Sequence, residues 1–488
     1  MNTLALTLIL ALGAEDIALR AAVHIHTNFG DGRHSIEEIA WRSVRAGIDV
    51  VILSDHFMDE ITYGVPLLRE ALALKVSPPS LAPHTMEAYL QAVHEAEAKT
   101  GVIILPGVEL TPFYFWDGSP FSGNLTLNSA QRHLMVIFPD KPDVKKIAVT
   151  LPTPSSPGGR GFGLGSLLLL WPVLLGLWAA IRLVSPSIKV TRTHFFVVKK
   201  RKRSWVAWLV AIASVVALFR SWPFTVPNWS PYAGDAGTAP YQRAIDAAAS
   251  TSSLTFWAHP ETATNFRHAR YPVDYRSEAY PDFLVRTDGA DGFASLYEGH
   301  RQAAAAGGFW DQALRAFARG ERKKPLWTVG ELDLHAEGEA GGKFIGEVET
   351  VIRVRQRSKG AVLEALSTGA MYAVRQARTS RLILDHFDVV CDSQRAQSGE
   401  RIAADGPCRV EARLRREGEP LEAVTLVLLR NGEVTDERKV EIDEEGVTLL
   451  WMDEDIPAGT RYYRLIVERG NNPVLYTNPI FVLSKEIR

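Results

Sequence analysis

The sequence has few cysteines and almost no net charge. Its 488 residues include two cysteines, and the formal net charge is −2. With so few thiolates, a metal centre in this chain would depend on nitrogen and oxygen ligands rather than on the thiolates of structural zinc sites. The near-neutral balance gives no general attraction to nucleic acid or to anionic surfaces. The apolar fraction of 46% is ample for buried cores, and the length allows two or three domains.

The beginning of the chain lacks the basic residues with which a secretory signal peptide usually starts. Residues 4–12 nevertheless form a short apolar run, and Ala11-Leu12-Gly13-Ala14 is similar to a cleavage site. Residues 1–14 are therefore a candidate signal peptide. Because the basic region is missing, two alternatives stay open: the start is misassigned, or the segment caps the folded part of the chain.

The most informative motif is His24-Ile25-His26, which ends an apolar run and is followed by Asp31-Gly32. Side chains alternate between the two faces of a strand, so we expect both imidazoles to lie on one face and to reach one metal ion. A single motif of this kind is more often structural or accidental. The interpretation therefore depends on what the rest of the chain contains.

Five further motifs repeat the theme along the chain. Each lies at or just beyond a short apolar stretch, such as residues 50–53 or 102–105. They are Ser54-Asp55-His56, Pro106-Gly107-Val108-Glu109, Arg132-His133, Ala258-His259-Pro260 and Asp333-Leu334-His335. Strand after strand thus delivers a His, Asp or Glu from its carboxyl end, where a βα-barrel gathers its catalytic residues. The pattern indicates a metalloenzyme.

The motifs contain six of the 13 histidines in the chain. We interpret most of the other seven as solvated; they are His34, His84, His94, His194, His268, His300 and His386. His34 is the exception, because it follows Asp31-Gly32 closely enough to approach the site.

The motifs offer more ligands than one tetrahedral ion needs, which predicts two or three divalent ions. Nitrogen and oxygen donors suit Zn, Mn or Fe. The predicted metal ligands are His24, His26, Asp31, His56, Glu109, His133, His259, Asp333 and His335. The predicted catalytic residues are Glu109, Asp55 and His56, with Asp55 either orienting His56 or accepting a proton.

The order of these motifs and the residues in them resemble those of the polymerase-and-histidinol-phosphatase (PHP) superfamily of metallohydrolases. The resemblance covers residues 20–145 and 240–380, and it implies a distorted (β/α)7 barrel that holds up to three metal ions. It also implies that Glu109 bridges two ions. The implied ligand sets are His24, His26 and Asp333 for one ion, His133 and His259 for a second, and Asp31, His56 and His335 for a third.

Two positions depart from the superfamily pattern. Gly30 stands where a Ser is common, and Glu331 precedes Leu332-Asp333 where Gly-Ser-Asp is usual. Neither departure removes a ligand.

A charge-free apolar run of about 20 residues between Phe162 and Ile181 has the length of a membrane-crossing helix, and a second, shorter run covers residues 205–219. The basic stretch 199–203 lies between them, and basic short loops stay in the cytoplasm. We therefore predict a transmembrane hairpin over residues 160–226, anchored in the lipid bilayer, with the rest of the chain on the extracytoplasmic, periplasmic side. The alternative is a pair of buried core helices.

The predicted domain organisation follows from these segments. The barrel would consist of residues 15–150 and 240–382, interrupted by the hairpin, because surface loops tolerate long insertions. Residues 383–488 show alternating apolar positions and turns such as Asn431-Gly432, which predict an antiparallel, Ig-like β-sandwich. The sequences of its last strand, residues 476–482, and of the helical segment 364–372 resemble those of the carbaryl-hydrolase-like branch of the superfamily.

Cys391 and Cys408 both fall in the predicted sandwich. They either form a disulfide or remain two reduced thiols, and the sequence leaves both alternatives open.

The leading functional hypothesis is a metal-dependent hydrolase in which an activated water attacks a phosphoester, because paired ions can stabilise both the attacking and the leaving oxygen. The first alternative is hydrolysis of a carboxyl or carbamoyl ester or an amide. The second is a membrane-tethered binding protein with a degenerate metal site, against which the intact ligand set argues. We expect a small-molecule substrate and no nucleic acid partner.

Overall fold

The structure is a computed structural model. It describes residues 16–58, 60–64, 73–81, 85–139, 143–148, 150, 170–184, 187–192, 197–202, 204–220, 229–268, 272–338, 342–454 and 459–484. The candidate signal peptide, residues 1–14, lies outside the described residues, as does most of the linker before the predicted hairpin.

The helices begin and end as follows. They are α1 Ile36–Ala46, α2 Met86–Thr100, α3 Val144–Ala148, α4 Trp171–Val184, α5 Trp205–Arg220, α6 Ala239–Ala249, α7 Phe283–Arg286, α8 Phe309–Ala318 and α9 Lys359–Thr368, with one 3₁₀ turn at Pro120–Ser122.

The strands of the first half are β1 Ile17–Ile25, β2 Val50–Leu53, β3 Asp55–Phe57, β4 Ile61–Gly64, β5 Ala73–Val76, β6 Ile103–Leu105, β7 Gly107–Leu110, β8 Phe115–Asp117, β9 Thr126–Asn128, β10 Leu134–Ile137, β11 Ser187–Arg192 and β12 Val197–Lys202. Those of the second half are β13 Leu254–Trp257, β14 Thr264–Arg267, β15 Asp274–Ser277, β16 Gly292–Leu296, β17 Trp327–Gly330, β18 Val348–Val354, β19 Met371–Arg375, β20 Ser380–Cys391, β21 Gln394–Gln397 and β22 Arg401–Ala403. The last seven are β23 Cys408–Gly418, β24 Val424–Arg430, β25 Glu433–Val440, β26 Val447–Asp453, β27 Arg461–Arg469, β28 Asn472–Thr477 and β29 Ile480–Leu483.

Two large sheets organise the part of the chain that carries the motifs. An eleven-stranded sheet has the order β22-β29-β27-β28-β19-β18-β1-β2-β6, with β24 and β25 attached beside β27. A six-stranded sheet has the order β17-β16-β13-β10-β7-β3. Strands β2 and β6 are buried at every residue, as continuous apolar runs such as Val50-Val51-Ile52-Leu53 require. The strands that lead into the motifs at residues 54–56 and 106–109 are therefore fully buried.

The chain passes from one large sheet to the other at Ser54 and at Pro106. Strand β2 continues through Ser54 into β3, and β6 continues through Pro106 into β7. The sheets also approach at an isolated parallel bridge between Ile25 and Leu334. At Gly107 an added Cβ would lie 2.5 Å from the Leu53 carbonyl oxygen, so only glycine allows this close approach.

The predicted (β/α)7 barrel is wrong. In the described residues the strands form separate sheets, of which the two large ones are mixed, and no closed barrel. A βα-barrel needs parallel strands, each followed by a helix, whereas β10 is antiparallel to both β7 and β13, and β1 is antiparallel to β18. The apolar runs indicated which residues are buried in a sheet, but they contain no information about the direction of the neighbouring strand.

The predicted separate antiparallel sandwich is also corrected. Strands β20, β21, β23 and β26 form a four-stranded sheet, but β27, β28 and β29 belong to the eleven-stranded sheet that also contains β1 and β2. The connection is the pairing of β19 with β28. The last strands therefore continue a sheet of the motif-bearing part, and β22 even pairs in parallel with β29.

Cys391 and Cys408 form a disulfide, which was one of the two alternatives left open. They are directly opposite each other in the antiparallel pair of β20 and β23, with their Cα atoms 4.5 Å apart. Cross-strand neighbours at this separation lie within bridging range. The disulfide thus closes one end of the four-stranded sheet.

The predicted transmembrane hairpin is wrong, and with it the membrane localisation, on which the extracytoplasmic placement of the rest of the chain was based. Among the described residues no helix is long and apolar enough to cross a membrane. Within the part of the chain that the structure describes, helices α4 and α5 have 14 and 16 residues. At the rise of an α-helix these lengths correspond to about 21 Å and about 24 Å, less than the roughly 30 Å hydrocarbon core of a bilayer. Between them β11 and β12 form a hairpin of two antiparallel strands.

Candidate metal centre

The motif residues meet where several strands end. His24 lies in β1 and His26 directly after it, while His56 lies in β3 and Glu109 in β7. The register of the parallel pair β3–β7 places His56 beside Glu109. His133 directly precedes β10, His259 follows β13, and Asp333 and His335 follow β17.

His24 and His26 approach each other in a different way from that predicted by simple alternation. The pairing of β1 with β2 shifts register between Val23 and Ile25, and His24 has a φ of +67°, in the left-handed region. The two rings are nevertheless stacked, with centroids 5.1 Å apart. A β-bulge, rather than the period of a regular strand, therefore aims both rings at one site.

Two other candidate ligands also have positive φ angles. His259 has a φ of +26° and Asp333 a φ of +49°. Non-glycine residues rarely adopt such backbone conformations, and they persist where surrounding contacts hold them. Three of the nine predicted ligands thus lie on strained backbone, which is common at functional sites.

The carboxylate of Glu109 lies at the middle of the cluster. Its Oε1 is 2.7 Å from Nδ1 of His133, 3.0 Å from Nε2 of His259 and 3.2 Å from Nε2 of His24. Its Oε2 is 2.8 Å from Nδ1 of His56 and 3.6 Å from Nε2 of His26. Each oxygen therefore faces its own set of imidazoles, an arrangement in which one carboxylate can bridge two cations.

Two more carboxylates complete the cluster. Asp31 Oδ2 is 3.1 Å from Nε2 of His335 and 3.5 Å from Nε2 of His56, and Asp31 Oδ1 is 3.1 Å from Nδ1 of His26. Asp333 Oδ1 lies 3.4 Å from Nε2 of His26 and 3.7 Å from Nε2 of His24. All nine predicted ligands are therefore in contact with at least one other member.

Within the described residues, three groups have ligand atoms that all lie within 4.8 Å of one another. They are His26, Asp31, His56 and His335; His24, His26 and Glu109; and His56, Glu109 and His133. The first contains the set predicted for the third ion and adds His26. In the last, His56 takes the place predicted for His259, whose Nε2 is 3.2 Å from Nδ1 of His133.

The donor set fits divalent cations. Several of its buried atoms, most of them close to other members of the cluster, make no hydrogen bond of regular geometry, which is costly for a buried polar atom. They are Nε2 of His24, both ring nitrogens of His26, Oε2 of Glu109 and Nδ1 of His259. Imidazole nitrogens and carboxylate oxygens without thiolates suit Zn, Mn or Fe. Bound divalent ions would supply Lewis-acid activation of water and of an ester oxygen.

The electrostatics of the cluster point the same way. Burial alone would raise the pKa of Glu109, but His133, His24 and His56 hold the pKa of this carboxyl well below its usual value. Burial opposes protonation of His56, but Glu109 and Asp31 raise the pKa of this imidazole to about 10. The same negative potential that favours a proton on these rings favours a metal cation.

His133 is the exception among the rings, because burial lowers its pKa to about 4 despite the neighbouring Glu109. It is therefore neutral at pH 7, which is the form that binds metals. Its Nε2 donates to the Ala130 carbonyl at 3.0 Å. That bond fixes the tautomer and leaves Nδ1 free to face Glu109.

Sequence reasoning missed the role of Glu331, which it noted only as a departure from a family pattern. This buried carboxylate accepts a hydrogen bond from Nδ1 of His24 at 2.7 Å and another from the backbone N–H of His259 at 2.6 Å. It thus holds two strained ligands whose segments are far apart in the chain. The available signal was its position two residues before Asp333, which places a second carboxylate at the same strand end.

Asp55 does not contact His56 in the way that was predicted. Its Oδ1 accepts the backbone N–H of Thr27 at 2.7 Å, and its Oδ2 accepts the Thr27 hydroxyl at 2.8 Å. Burial raises the pKa of Asp55, partly offset by these hydrogen bonds. These hydrogen bonds let Asp55 support the turn after His26. The turn is tight, because an added Cβ at Gly32 would lie 2.4 Å from the His26 carbonyl oxygen.

The remaining histidines stay outside the three ligand groups. His34 accepts from the Glu337 backbone, His94 is an exposed residue of α2, and His386 lies near Glu411 in the four-stranded sheet. His300 contacts the Tyr297 carbonyl and His268 packs beside Tyr275. His84 and His194 lie outside the described residues.

The cluster is buried on one side and open on the other. The side chains of His24, His26 and Glu109 are at most 1% exposed. Those of Asp31, Asp333 and His335 are 30%, 32% and 39% exposed. A substrate would therefore enter past Asp31, Asp333 and His335.

No protein-family model matches the chain, and a comparison with curated proteins finds no relative.

Several solved structures are similar in part. One is a two-domain protein from Bacteroides vulgatus, described as containing a predicted PHP-like metal-dependent phosphoesterase. It is 11% identical to this chain, the alignment covers 95% of each chain, and the TM-score is 0.34. A putative metal-dependent phosphoesterase from Bifidobacterium adolescentis is 14% identical over 68% of this chain and 93% of its own, with a TM-score of 0.29. An amidohydrolase from Chromobacterium violaceum with bound sulfate and no metal is 15% identical over 73% of this chain and 98% of its own, with a TM-score of 0.30. At such identities and TM-scores these likenesses establish neither a family nor an activity for this chain.

Proposed function

We propose that this chain is a PHP-type metal-dependent hydrolase that cleaves a phosphoester with an activated water molecule. The observation that carries the proposal is the position of Glu109, whose two oxygens face separate sets of imidazole nitrogens at 2.7–3.6 Å. Two divalent ions bound on either side of one carboxylate would suit in-line displacement at phosphorus. In that reaction the attacking and the leaving oxygen both need stabilisation.

The residues have separate tasks in this proposal. Glu109, the six histidines and the two aspartates would bind two or three ions of Zn, Mn or Fe. Glu331 orients His24 and fixes the backbone of His259. His335 and Asp31 lie on the open side, where they would contact a bound substrate or the water that attacks it. Asp55 shapes the turn after His26 and is a positioning residue here.

Glu109→Gln tests the proposal, because it keeps the size of the side chain and removes the charge between the ions. We expect metal content to fall by more than one ion per chain, and hydrolysis of p-nitrophenyl phosphate or bis-p-nitrophenyl phosphate to fall by at least about a thousandfold. Metal analysis by mass spectrometry and turnover are measured on the same preparations.

The matched control is His94→Gln, which changes an exposed histidine of α2 and should alter neither quantity. Full metal content and rate in Glu109→Gln would contradict the proposal. Turnover of p-nitrophenyl acetate, with neither phosphoester cleaved by the metal-loaded wild type, would instead support the carboxyl or carbamoyl ester alternative.

A further inference from the structure

A lysine stands at the open side of the metal centre. The Nζ of Lys343 is 3.7 Å from Oδ2 of Asp333 and donates to the Asp333 carbonyl at 3.1 Å. The side chain is 30% exposed, as is that of Asp31, another residue on the open side. Lys343 therefore places a positive charge beside the route by which a substrate would reach the ligands.

The lysine is held by a second element. Its Nζ lies 5.1 Å from the centre of the Tyr297 ring, within range of a cation–π contact. Tyr297 directly follows β16, which pairs in parallel with β17, so its ring and Asp333 come from the same ends of neighbouring strands. The ring is fixed in turn, because the Tyr297 hydroxyl donates to Glu347 at 2.7 Å and accepts from Arg375 at 3.2 Å.

The ammonium group has hydrogen-bonding capacity left for a ligand. It carries three donors, and its hydrogen bond in the described part of the chain goes to Asp333. Asp333 is also a proposed metal ligand, so its charge is shared with the ions when they are bound. A lysine with spare donors next to a cation-binding cluster is suited to an oxyanion, since lysine binds phosphate as a point charge.

We propose that Lys343, held on the ring of Tyr297, binds a terminal oxygen of the substrate's phosphate group, and that the substrate is a phosphomonoester. A monoester has three terminal oxygens, so one can contact the lysine while the others face the ligand cluster. A diester has only two terminal oxygens, so contact with the lysine would leave it a single one for the ligand cluster. The inference rests on the proposed function, because it names the substrate class of that same site.

Lys343→Gln tests the inference, with inorganic phosphate as the probe and metal-loaded protein in every assay. We expect the dissociation constant of phosphate to rise about tenfold or more, the effect of losing one charge-assisted hydrogen bond. The KM for p-nitrophenyl phosphate should rise by a similar factor and kcat should change much less. Any KM for the uncharged p-nitrophenyl acetate should stay unchanged, and Lys343→Arg should restore part of the phosphate affinity.

The control is Lys324→Gln, which removes another lysine that pairs with an aspartate. Its Nζ is 2.6 Å from Asp291, and it precedes β17, at the opposite end of the strand from Asp333. This variant should bind phosphate like the wild type.

Wild-type phosphate affinity in Lys343→Gln would overturn the inference. So would a loss of metal ions from that variant, since the lysine would then serve Asp333 rather than the substrate. Phosphate binding is measured without turnover. A wild type that cleaves no phosphoester, but whose phosphate affinity depends on Lys343, would overturn the proposed function and support the anion site.

Discussion

At the scale of single residues, Glu331 shows how the site keeps its strained ligands in place. One of its oxygens accepts from the His24 ring and the other from the His259 backbone, and both of these residues have positive φ angles. A carboxylate behind a metal-binding histidine fixes the tautomer and the ring orientation. Here the same carboxylate also fixes a second ligand from a distant part of the chain.

Glu331→Gln should therefore weaken metal binding. One of its two oxygens becomes an NH₂ donor, which faces either the His259 N–H or Nδ1 of His24. In the second case His24 is driven to the tautomer that carries its proton on Nε2, the atom facing Glu109. We expect metal affinity to fall roughly 10- to 100-fold, as for other partners of metal-bound histidines. Titration of metal-free protein with Zn²⁺ or Mn²⁺ against a competing chelator measures the change.

Glu349→Gln is the matched control, because Glu349 is equally buried but pairs with Arg20 and Arg381. It should lower stability and leave metal affinity as it is. Equal metal affinity in Glu331→Gln and in the wild type would show that the contact to His24 does not support binding.

At the scale of secondary structure elements, a buried ion pair connects α8 to β27. Asp311 and Arg464 are both fully buried, and their two hydrogen bonds measure 2.5 Å and 2.8 Å. The Tyr462 hydroxyl adds a third bond to Asp311 at 3.0 Å, and the Arg464 guanidinium lies 4.7 Å from the centre of the Trp310 ring. Helix α8 is thereby joined to strand β27 of the eleven-stranded sheet.

Asp311→Ala should be strongly destabilising, because it leaves the Arg464 charge buried without its partner. We expect the free energy of unfolding to fall by about 3–5 kcal/mol, as is typical when one member of a buried pair is removed. Urea denaturation followed by circular dichroism measures this.

Glu321→Ala removes the partner of Arg319 from an ion pair in which both side chains are more than half exposed. Such pairs contribute about 0–1 kcal/mol, so this control should change stability little. A loss of similar size in both variants would contradict the importance assigned to the buried pair.

At the scale of the whole molecule, the proposed ligands extend from His24 to His335 and come from both large sheets. Ions that bind this set only in the folded chain stabilise it by mass action. Removing them also takes the compensating positive charge away from the buried carboxylates of Glu109 and Glu331, which both contact His24. Metal binding should therefore stabilise both halves of the motif-bearing part together.

Chelation with EDTA should lower the Tm of the wild type, and adding Zn²⁺ or Mn²⁺ should restore it. With free metal at about a hundred times its dissociation constant, the gain is about 2.7 kcal/mol. Differential scanning calorimetry of metal-loaded and chelated protein measures the shift. Glu109→Gln, which should bind fewer ions, should respond less. A Tm that is the same with and without EDTA would count against a metal centre in this part of the fold.

The sequence by itself determined many of the local elements. The apolar stretches at residues 50–53 and 102–105 are found as the strands Val50–Leu53 and Ile103–Leu105. The turn at Asn431-Gly432 joins β24 to β25 with both residues in the left-handed region. The segment 364–372, taken as helical, is helical only as far as Thr368, because Gly369 adopts a φ of +78° and the chain then enters β19. Periodicity and turn residues act over a few positions, so the local sequence suffices for them.

The sequence also predicted which side chains lie together in the cluster. Charged and imidazole side chains at the ends of apolar strands have few reasons to be there other than function, and the structure brings all nine predicted ligands together. The sequence did not reveal that Glu331, Asp55 and Tyr297 support other residues of the site. Each of these depends on a partner at least 28 residues away in the chain, as the contact of Asp55 with Thr27 illustrates.

Only the tertiary structure decided how the strands associate. Apolar runs identify buried strands, but the hydrogen bonds between strands are made by the backbone, which is the same at every residue. The sequence therefore could not show that β10 runs antiparallel to both neighbours or that β19 pairs with β28. The bulge at His24 belongs to the same class, because a register shift exists only between two paired strands.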